Sequence, residues 1–346
     1  MKTRYKGLIA LLIFLVIARA VLPSIILSRT NEYLANFSPI YAIHIDDLDL
    51  GLLTFSYTGQ NTTGIYKKDN SKFFTTKSVR VQISFTELFH GRILTNVRID
   101  DGSFVLTKAL FAQGAKDPEK AKEDAKKAAK AMFPLRVAVI EFHNGSFDFA
   151  DFLSQDKDTR WRVSEINSKF LNINPVPENP YTQVFGDGKF LDVAPFKIAG
   201  KAKRLETPMD FKVDFEMKNF KLTDSNPMLL HYLPFTFSRG NLDVYSEVAM
   251  VKGTMNGYVK PFIKDAKILK AGEDFKSIKH FAFEMAGAFA NFMLKNADDK
   301  TVATKIIFKK RPGASFEIEG VDAALDAVKH GYIKELTPGI EDSIAF

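Results

Sequence analysis

The residues that could carry out chemistry in this chain are few. It has no cysteine, which excludes disulfides, thiolate nucleophiles and cysteine-ligated zinc or iron–sulfur sites. Its six histidines stand far apart and form no His-x-x-x-His pair, so metal-ligand spacing is absent. No Gly-x-Ser-x-Gly elbow, phosphate-binding loop or dinucleotide-binding fingerprint occurs. The sequence therefore predicts a protein that is not an enzyme, with no catalytic residue, no metal and no cofactor.

An acidic cluster stands near the amino-terminal end, at Asp46, Asp47 and Asp49. It lacks the Gly and Glu of a calcium-binding loop, so we interpret it as the solvated edge of a strand. No two carboxylates can be nominated as general acid and general base, which argues against a hydrolase.

Charge and aromatic content indicate the class of partner. The net charge of +7 favours an anionic surface, either phospholipid headgroups or nucleic acid. Lysines and arginines stand singly at alternating positions, and the aromatic residues take the apolar phase of the same runs. Nucleic acid is not predicted as a partner, because bases stack on aromatic side chains that lie among exposed cations. The 32 phenylalanines fit either a wide apolar surface or a Phe-rich β core.

The stretch Asp210–Asn226 alternates apolar and polar residues without a fault over its first half. Its odd positions are apolar and its even positions are charged: Phe211, Val213, Phe215 and Met217 against Lys212, Asp214, Glu216 and Lys218. Period two is typical of a strand with one dry face and one wet face. The phase slips at Asn219, and apolar residues continue from even positions, which predicts a β-bulge.

Short apolar runs separated by Gly- or Asn-containing turns occur along most of the chain. They include Ile43–Leu50, Val79–Phe85, Phe190–Val193, Phe211–Leu222, Gly240–Val251 and Gly253–Phe262. This pattern predicts an antiparallel sheet rather than alternating βαβ units.

Four segments predict helices. Arg29–Phe37 is a short one, and Asp117–Phe133 is rich in Ala, Lys and Glu with almost no apolar stripe, which indicates an exposed insertion. Asp274–Asn296 and Val321–Leu336 are amphipathic. The apolar stripe of Asp274–Asn296 includes Phe275, Ile278, Met285, Phe289 and Phe292.

The first 27 residues predict export. A basic segment at residues 1–6 precedes the apolar run Gly7–Ala18, and apolar character resumes after Arg19. Gly7–Leu27 as one helix would be about 31 Å long, close to the hydrocarbon thickness of a bilayer. The positive-inside rule then leaves residues 1–6 in the cytoplasm and the bulk of the chain across the membrane. A cleaved signal peptide is the alternative, because Ala18-Arg19-Ala20 offers small residues at cleavage-site spacing.

Two parts of the chain carry turn and strand motifs of a known kind. The stretches IDDLDLGLLTFSYTGQ and SVRVQISFTELFHGRILTNVRIDDGSFVL contain an aromatic–Gly step before a strand and an x-Gly-x-Phe turn, at Leu88, Phe89, Gly91, Gly102 and Phe104. The stretch FKLTDSNPMLLHYLPFTFSRGNLDVYSEVAMVKGTMNGYVKPF has an Asn-Pro turn, a Gly-Asn-Leu strand and a closing Gly-Tyr-Val-Lys-Pro strand. Its motif positions are Asn226, Pro227, Tyr232, Gly240, Glu247, Gly257, Tyr258, Lys260 and Pro261. These stretches resemble the AsmA-like superfamily, specifically domain-of-unknown-function family 748.

The resemblance covers most of residues 1–345, with residues 117–133 as an insertion. It implies an inner-membrane anchor carrying a periplasmic, highly twisted antiparallel sheet that is curled into a groove. AsmA-like proteins are associated with outer-membrane integrity and are proposed to move phospholipid between membranes along such a groove. Some thirteen strands at about 4.8 Å each would give a sheet of roughly 60 Å, which is short for a bridge across an envelope.

The predicted fold is therefore mainly β with helices. Residues 1–28 form the N-terminal membrane anchor, residues 29–270 an AsmA-like β-groove domain, and residues 271–346 an amphipathic helical cap with a final β-hairpin. The anchor residues are Leu8, Leu11, Phe14 and Leu15. The predicted location is the inner membrane, as a single-pass protein with most of its chain in the periplasm.

Two functional hypotheses follow. In the first, a non-enzymatic envelope protein binds or passes phospholipid acyl chains in the groove and supports outer-membrane homeostasis. The predicted lining includes Val213, Phe215, Met217, Phe220, Leu242, Val244 and Phe262. The helix at 274–296 is the alternative occupant of the same groove. In the second hypothesis, the protein is a scaffold that holds another envelope protein through a sheet edge or the 117–133 helix.

Overall fold

Strands dominate the fold, as the period-two alternation predicts. The computed structural model describes residues 2–36, 38–51, 53–91, 94–107, 136–149, 161–173, 181–203, 210–227, 229, 235–270, 301–303, 305–311, 317–319 and 336–346. Within these ranges the chain is mainly β, with a long helix at its amino-terminal end, and its strands are mostly antiparallel. The chain divides into two compact units, Met1–Asp148 and Phe149–Phe346.

The first unit is a helix followed by a sheet. Its elements are α1 (Lys2–Asn36), β1 (Tyr41–Gly51), β2 (Ser56–Tyr66), β3 (Lys72–Ile83), α2 (Phe85–Phe89), β4 (Leu94–Asp100), β5 (Ser103–Leu106) and β6 (Arg136–Phe149). Strands β1 to β4 pair in sequence order and antiparallel, and β5 continues beside β3. The core consists of alternate residues of three neighbouring strands: Val79, Val81, Val97, Ile99 and Val137.

One pairing in this unit departs from the antiparallel prediction. Strand β6 runs parallel to β4, from Leu94 opposite Arg136 to Asp100 opposite His143. A parallel pair needs a crossover of a dozen or more residues, and residues 107–135 between β5 and β6 are long enough to provide it. The helix predicted at 117–133 belongs to this connection and lies outside the described residues.

Helix α1 packs along β1, the strand that follows it in sequence. Leu34 is buried against Ile43 and Ile45, and Leu27 packs beside them. The Asn31 side chain accepts a hydrogen bond from the Ile45 N–H at 2.9 Å and donates one to the Ile45 carbonyl at 2.8 Å. These two bonds occupy the outer edge of β1, where a sheet otherwise presents free backbone groups.

The same helix extends further than the sequence predicts. Arg29–Phe37 is not a separate short helix, because α1 runs unbroken from Lys2 to Asn36 with Pro23 inside it. Contacts to β1 on both sides of Pro23 hold the two halves in line. On the amino-terminal side the Arg19 guanidinium pairs with Asp49 at 3.1 Å and donates to the Leu50 carbonyl; on the other side Asn31 binds Ile45.

The predicted membrane anchor falls in this helix. Leu8, Leu11, Phe14 and Leu15 are all part of α1, and their side chains lie outside what the structure describes. In the described part of the chain, no helix is both long enough and apolar enough to cross a membrane.

The second unit is a sheet in which neighbouring strands are antiparallel. Its elements are β7 (Trp161–Leu171), β8 (Tyr181–Phe190), β9 (Ala194–Lys203), β10 (Asp210–Lys221), a 3-10 helix (Leu222–Ser225), β11 (Phe235–Val251), β12 (Thr254–Lys270), β13 (Thr301–Ala303), β14 (Ile306–Lys310) and β15 (Glu317–Glu319). Strands β7 to β12 follow one another in sequence order, and β12 also pairs with β13 and β14. Strands β14 and β15 form the predicted final hairpin. The helices predicted at 274–296 and 321–336, including Phe275, Ile278, Met285, Phe289 and Phe292, lie outside the described residues, apart from Leu336.

The bulge predicted in β10 is confirmed. The register of β10 against β11 shifts between Met217 and Phe220. Asn219 lies at the shift with a φ of 57°, and its N–H donates to the Asp243 carboxylate at 2.7 Å. Asn tolerates this left-handed conformation better than most residues do. Strand β10 therefore keeps its apolar side chains on one face across the change of phase.

The docking of α1 on β1 predicts the effect of a substitution at Asn31. Asn31→Ala removes two hydrogen bonds to Ile45 and should lower the free energy of unfolding by about 2 kcal/mol, measured by urea denaturation. Asn36→Ala is the matched control: its amide donates only to the Glu32 carbonyl at an exposed position. This control should cost less than about 0.5 kcal/mol. Equal losses would show that Asn31 does not hold the helix to the strand.

Candidate functional site

Over the regularly paired residues 182–202, 211–220, 242–250 and 255–263, the sheet from β8 to β12 has one face without charge, which we call the apolar face. Residues that pair directly across antiparallel strands point to the same side, so the register defines its members. In β8 and β9 they are Thr182, Val184, Gly186, Gly188, Phe190, Ala194, Phe196, Ile198, Gly200 and Ala202. In β10 to β12 they are Phe211, Val213, Phe215, Met217, Phe220, Leu242, Val244, Ser246, Val248, Met250, Met255, Gly257, Val259, Pro261 and Ile263. No member carries an ionisable group.

Large side chains cluster at one end of the apolar face. Met217 and Phe220 are buried, and Phe190, Phe196, Phe215, Leu242 and Val244 pack against them while staying partly exposed. The Phe196 and Phe215 rings stack with centroids 5.8 Å apart, and Phe190 meets Phe220 edge-on at 5.7 Å. Ser246 satisfies its hydroxyl by donating to the Tyr258 carbonyl at 2.8 Å. The apolar face therefore consists mainly of apolar surface, and the hydroxyl of Ser246 already has a hydrogen-bond partner within the sheet.

Six of the seven predicted lining residues share this face. They are Val213, Phe215, Met217, Phe220, Leu242 and Val244. Phe262 lies on the opposite face, because Pro261 is the residue of β12 that pairs with Val244. The Phe262 ring packs edge-on against Tyr245 at 5.7 Å. Ile263 takes the place beside Leu242 on the apolar face.

The opposite face is rich in charge, and we call it the charged face. It carries Lys197, Lys201, Lys212, Asp214, Glu216, Lys218, Asp243, Tyr245, Glu247, Tyr258, Lys260 and Lys264. The carboxy-terminal segment, residues 336–346, lies against part of it. Two of its charged side chains are almost inaccessible to solvent, at 0% exposed for Glu247 and 1% for Lys260. Burial of charge on this scale requires ion pairs and hydrogen bonds.

Glu247 is the centre of this arrangement. Its carboxylate is 2.9 Å from the Lys212 ammonium group and accepts a hydrogen bond from the Ser343 backbone N–H at 3.1 Å. The Tyr258 hydroxyl donates to the same carboxylate. The Lys212 group also lies 3.5 Å from Asp342 and 3.9 Å from Asp214. Strands β10, β11 and β12 and the carboxy-terminal segment thus meet at one buried carboxylate.

A second contact joins the same segment to β12. The Lys260 ammonium group lies 2.9 Å from the Glu341 carboxylate and donates to the Thr337 carbonyl at 3.2 Å. The Glu341 N–H donates to the Tyr258 hydroxyl at 2.9 Å, and Lys305 pairs with the Glu341 carboxylate. Lys305 also lies over the Tyr258 ring, 4.5 Å from its centroid, as in a cation–π contact.

These contacts change the proton affinity of the acids. Burial alone would raise the pKa of Glu247, but hydrogen bonds from Tyr258, Lys212 and Ser343 outweigh it and the pKa lies below its usual value. The hydrogen bond from Lys305 is the main cause of the lowered pKa of Glu341. Asp214 differs, because its burial dominates and raises its pKa. Of these three carboxylates, the two that take part in the attachment of the carboxy-terminal segment, Glu247 and Glu341, are the ones whose pKa is lowered.

A pocket of about 380 Å³ opens beside this network, on strands β7 to β10. Its charged lining consists of Glu165, Asp187, Lys189, Lys197, Glu216 and Lys218. Lys189 pairs with Glu165 at 2.8 Å and Lys218 pairs with Glu216. Among the described residues, no three His, Asp or Glu side chains converge in a way that could hold a metal ion.

Sequence reasoning missed the buried network while noticing its members. Glu247, Tyr258 and Lys260 were assigned to strand-closing motifs, and Lys212 and Asp214 to a solvated strand face. One signal in the sequence could have revealed the network. Glu247 and Tyr258 are polar residues in the middle of two long strands, and they pair directly with each other. The partner segment stands 96 residues further along the chain than Glu247.

The network predicts a large effect of a neutral substitution at its centre. Glu247→Gln leaves the buried ends of Lys212 and Tyr258 without the carboxylate, which should lower the free energy of unfolding by about 3 kcal/mol in urea denaturation. Glu216→Gln is the matched control on the neighbouring strand of the same face, where its partner Lys218 is half exposed. The control should cost less than about 1 kcal/mol. Similar losses for the two would contradict the central role of Glu247.

The stabilisation that Glu247 provides should also depend on pH. Its pKa in the folded chain is below the ordinary value of 4.5, so the contribution is present above that value and is lost as pH falls through the folded pKa. The difference in unfolding free energy between the wild-type chain and Glu247→Gln should therefore shrink between about pH 5 and about pH 3. A difference that stays constant over this range would contradict an ionised Glu247.

A scan against models of protein families finds none that matches the chain, and a search of curated proteins finds no similar sequence. The resemblance to the AsmA-like superfamily therefore stays a prediction.

Proposed function

We propose that this is a non-enzymatic protein of the cell envelope that binds phospholipid acyl chains on the apolar face of the β8–β12 sheet. The observation that carries the proposal is the absence of any ionisable residue from that face, while the reverse face of the same strands holds lysines and carboxylates. A surface of this kind binds hydrocarbon by removing it from water, at about 0.8 kcal/mol for each buried methylene group.

The dimensions of the face fit a single acyl chain. Strands in a sheet stand about 4.8 Å apart, so five neighbouring strands span about 19 Å from the first to the last. Half of a bilayer's hydrocarbon core, which one acyl chain crosses, is about 15 Å. An acyl chain laid across the sheet would therefore contact about four of the five strands.

The aromatic cluster gives the face a favoured end. Phe196 and Phe215 are stacked and partly exposed, and they rest on Met217, which is buried. Because Gly188 stands next to Phe196 in the register, the ring lies over a position without a side chain; a Cβ there would be 2.8 Å from it. Glycine at position 188 thus makes room for the Phe196 ring, which adds apolar surface at this end of the face.

Fewer observations support the scaffold hypothesis. Addition of a partner strand needs a free sheet edge, and α1 occupies the outer edge of β1 through Asn31 and Arg19. The insertion at 117–133 lies outside the described residues and carries no argument. A location in the inner membrane, with most of the chain in the periplasm, is part of the proposal and draws on the sequence of the first 27 residues.

A pair of matched substitutions tests the proposal. Phe215→Asp puts a charge on the apolar face and should abolish the phospholipid that co-purifies with the chain, as measured by native mass spectrometry and lipid extraction. Phe185→Asp is the control: the same change on the opposite face of the sheet, in β8, where Phe185 is 49% exposed. The control should keep its lipid.

Two results would contradict the proposal. One is a wild-type chain that is stable and free of lipid when purified without detergent. The other is lipid that is retained equally by both variants while both stay folded by circular dichroism, because that lipid would be bound somewhere other than on the apolar face.

A further inference from the structure

The carboxy-terminal segment is held to the charged face in the way a peptide ligand is held. Side chains of the sheet bind its backbone: Lys260 reaches the Thr337 carbonyl, Tyr258 the Glu341 N–H and Glu247 the Ser343 N–H. Among the described residues, no backbone–backbone hydrogen bond joins residues 336–346 to a strand. The segment is therefore not a strand of the sheet, and side-chain contacts attach it to the strands.

The two sides of the contact are complementary in charge. The sheet supplies three ammonium groups, from Lys212, Lys260 and Lys305, and each is within ion-pair distance of Glu341 or Asp342 of the segment. The segment supplies no cation, since its sequence is LTPGIEDSIAF. The residues of the sheet thus form a site that is selective for an acidic segment.

The end of the segment adds an aromatic contact. The Phe346 ring lies 5.7 Å from the Tyr181 ring, and the Lys201 ammonium group is 5.0 Å from the Phe346 centroid. The contacts from Thr337 to Phe346 therefore extend over all five strands from β8 to β12. A cation–π contact at a partly exposed site contributes about 0.5–1 kcal/mol, so this end is secondary to the acidic pair.

Most of the segment stays accessible to water. Asp342 is 83% exposed and Glu341 29%, whereas the lysines that bind them, Lys260, Lys212 and Lys305, are 1%, 13% and 26% exposed. The binding groups are thus built into the sheet and the bound groups lie on top of it. This asymmetry is that of a site and its occupant.

We propose that Lys212, Glu247, Tyr258, Lys260 and Lys305 form a peptide-binding site, and that its occupant is the chain's own carboxy-terminal segment, which docks reversibly. The recognised sequence is Glu-Asp-Ser followed by Phe three residues after Ser. Two carboxylates bind the lysines, and the Glu and Ser amides bind the Tyr hydroxyl and the buried carboxylate. The site lies on the face opposite the one proposed to bind lipid, so it does not depend on lipid binding.

The test uses the full-length chain and a labelled copy of its own segment. In one variant, which we call the weakened variant, Glu341→Ala, Asp342→Ala and Ser343→Ala together weaken the attachment of the chain's own segment to the sheet. A fluorescent synthetic peptide of residues 336–346 should bind this variant at least tenfold more tightly than it binds the wild-type chain, where the internal segment competes. A peptide of the same composition in scrambled order is the control, and fluorescence anisotropy is the readout.

Substitutions in the site identify where the peptide binds. When Lys305→Ala is added to the weakened variant, the affinity for the labelled peptide should fall at least threefold, because Lys305 pairs with Glu341. Lys310→Ala, at the end of the β14 strand that follows Lys305, is the matched control, since it pairs with Met255 and points to the other face. It should leave the affinity unchanged. Peptide that binds the weakened variant no better than the scrambled sequence, or that ignores Lys305, would overturn the proposal.

Hydrogen exchange decides the matter if the weakened variant does not fold. In the wild-type chain, the amides of Glu341 and Ser343 should exchange at least tenfold faster than the amides of β11, because the segment opens without the sheet. Exchange of those two amides at the rate of β11 would mean that the segment is part of the folded core, and would overturn a reversible docking site.

Discussion

The register of β10 between its neighbours is the constraint on which the second unit depends. A shift of one residue would move Phe215 to the charged face and bring Glu216 among phenylalanines. Burial of an unpaired carboxylate there would destabilise the folded sheet. The bulge at Asn219 keeps this assignment beyond Met217, and its N–H is held by Asp243. One face can therefore be free of ionisable side chains while the other carries buried charge.

Each face solves a different physical problem. Apolar side chains on an open sheet need a cover that removes them from water, and hydrocarbon meets that need without any hydrogen bond. Glu247 and Lys260 need partners of opposite charge, and the carboxy-terminal segment brings carboxylates and backbone amides to them. Strand alternation would thus let one sheet hold the proposed hydrocarbon on one face and the carboxy-terminal segment on the other.

Local pattern predicted the strands where apolar and polar residues alternate, and it failed where they do not. Strand β10 and its bulge follow from the sequence, whereas β2 is built from Gly, Thr and Asn that read as turn residues. The run Phe190–Val193 was expected to be a strand, but its last three residues form a turn, with positive φ at Leu191 and Asp192. Most of the apolar lining was predictable for the same reason. The network around Glu247 was not, because its partners come from a segment far along the chain.

The central claim is that the apolar face contacts lipid and the charged face does not. The chain has no cysteine, so a single introduced cysteine can carry a bimane label at a chosen position. The measurement compares labels at Val213 and Phe185 when the full chain is mixed with vesicles of phosphatidylglycerol and brominated phosphatidylcholine. The account predicts that bromine quenches the label at residue 213 and spares the label at residue 185. Equal quenching at both positions, or none at residue 213, would contradict it.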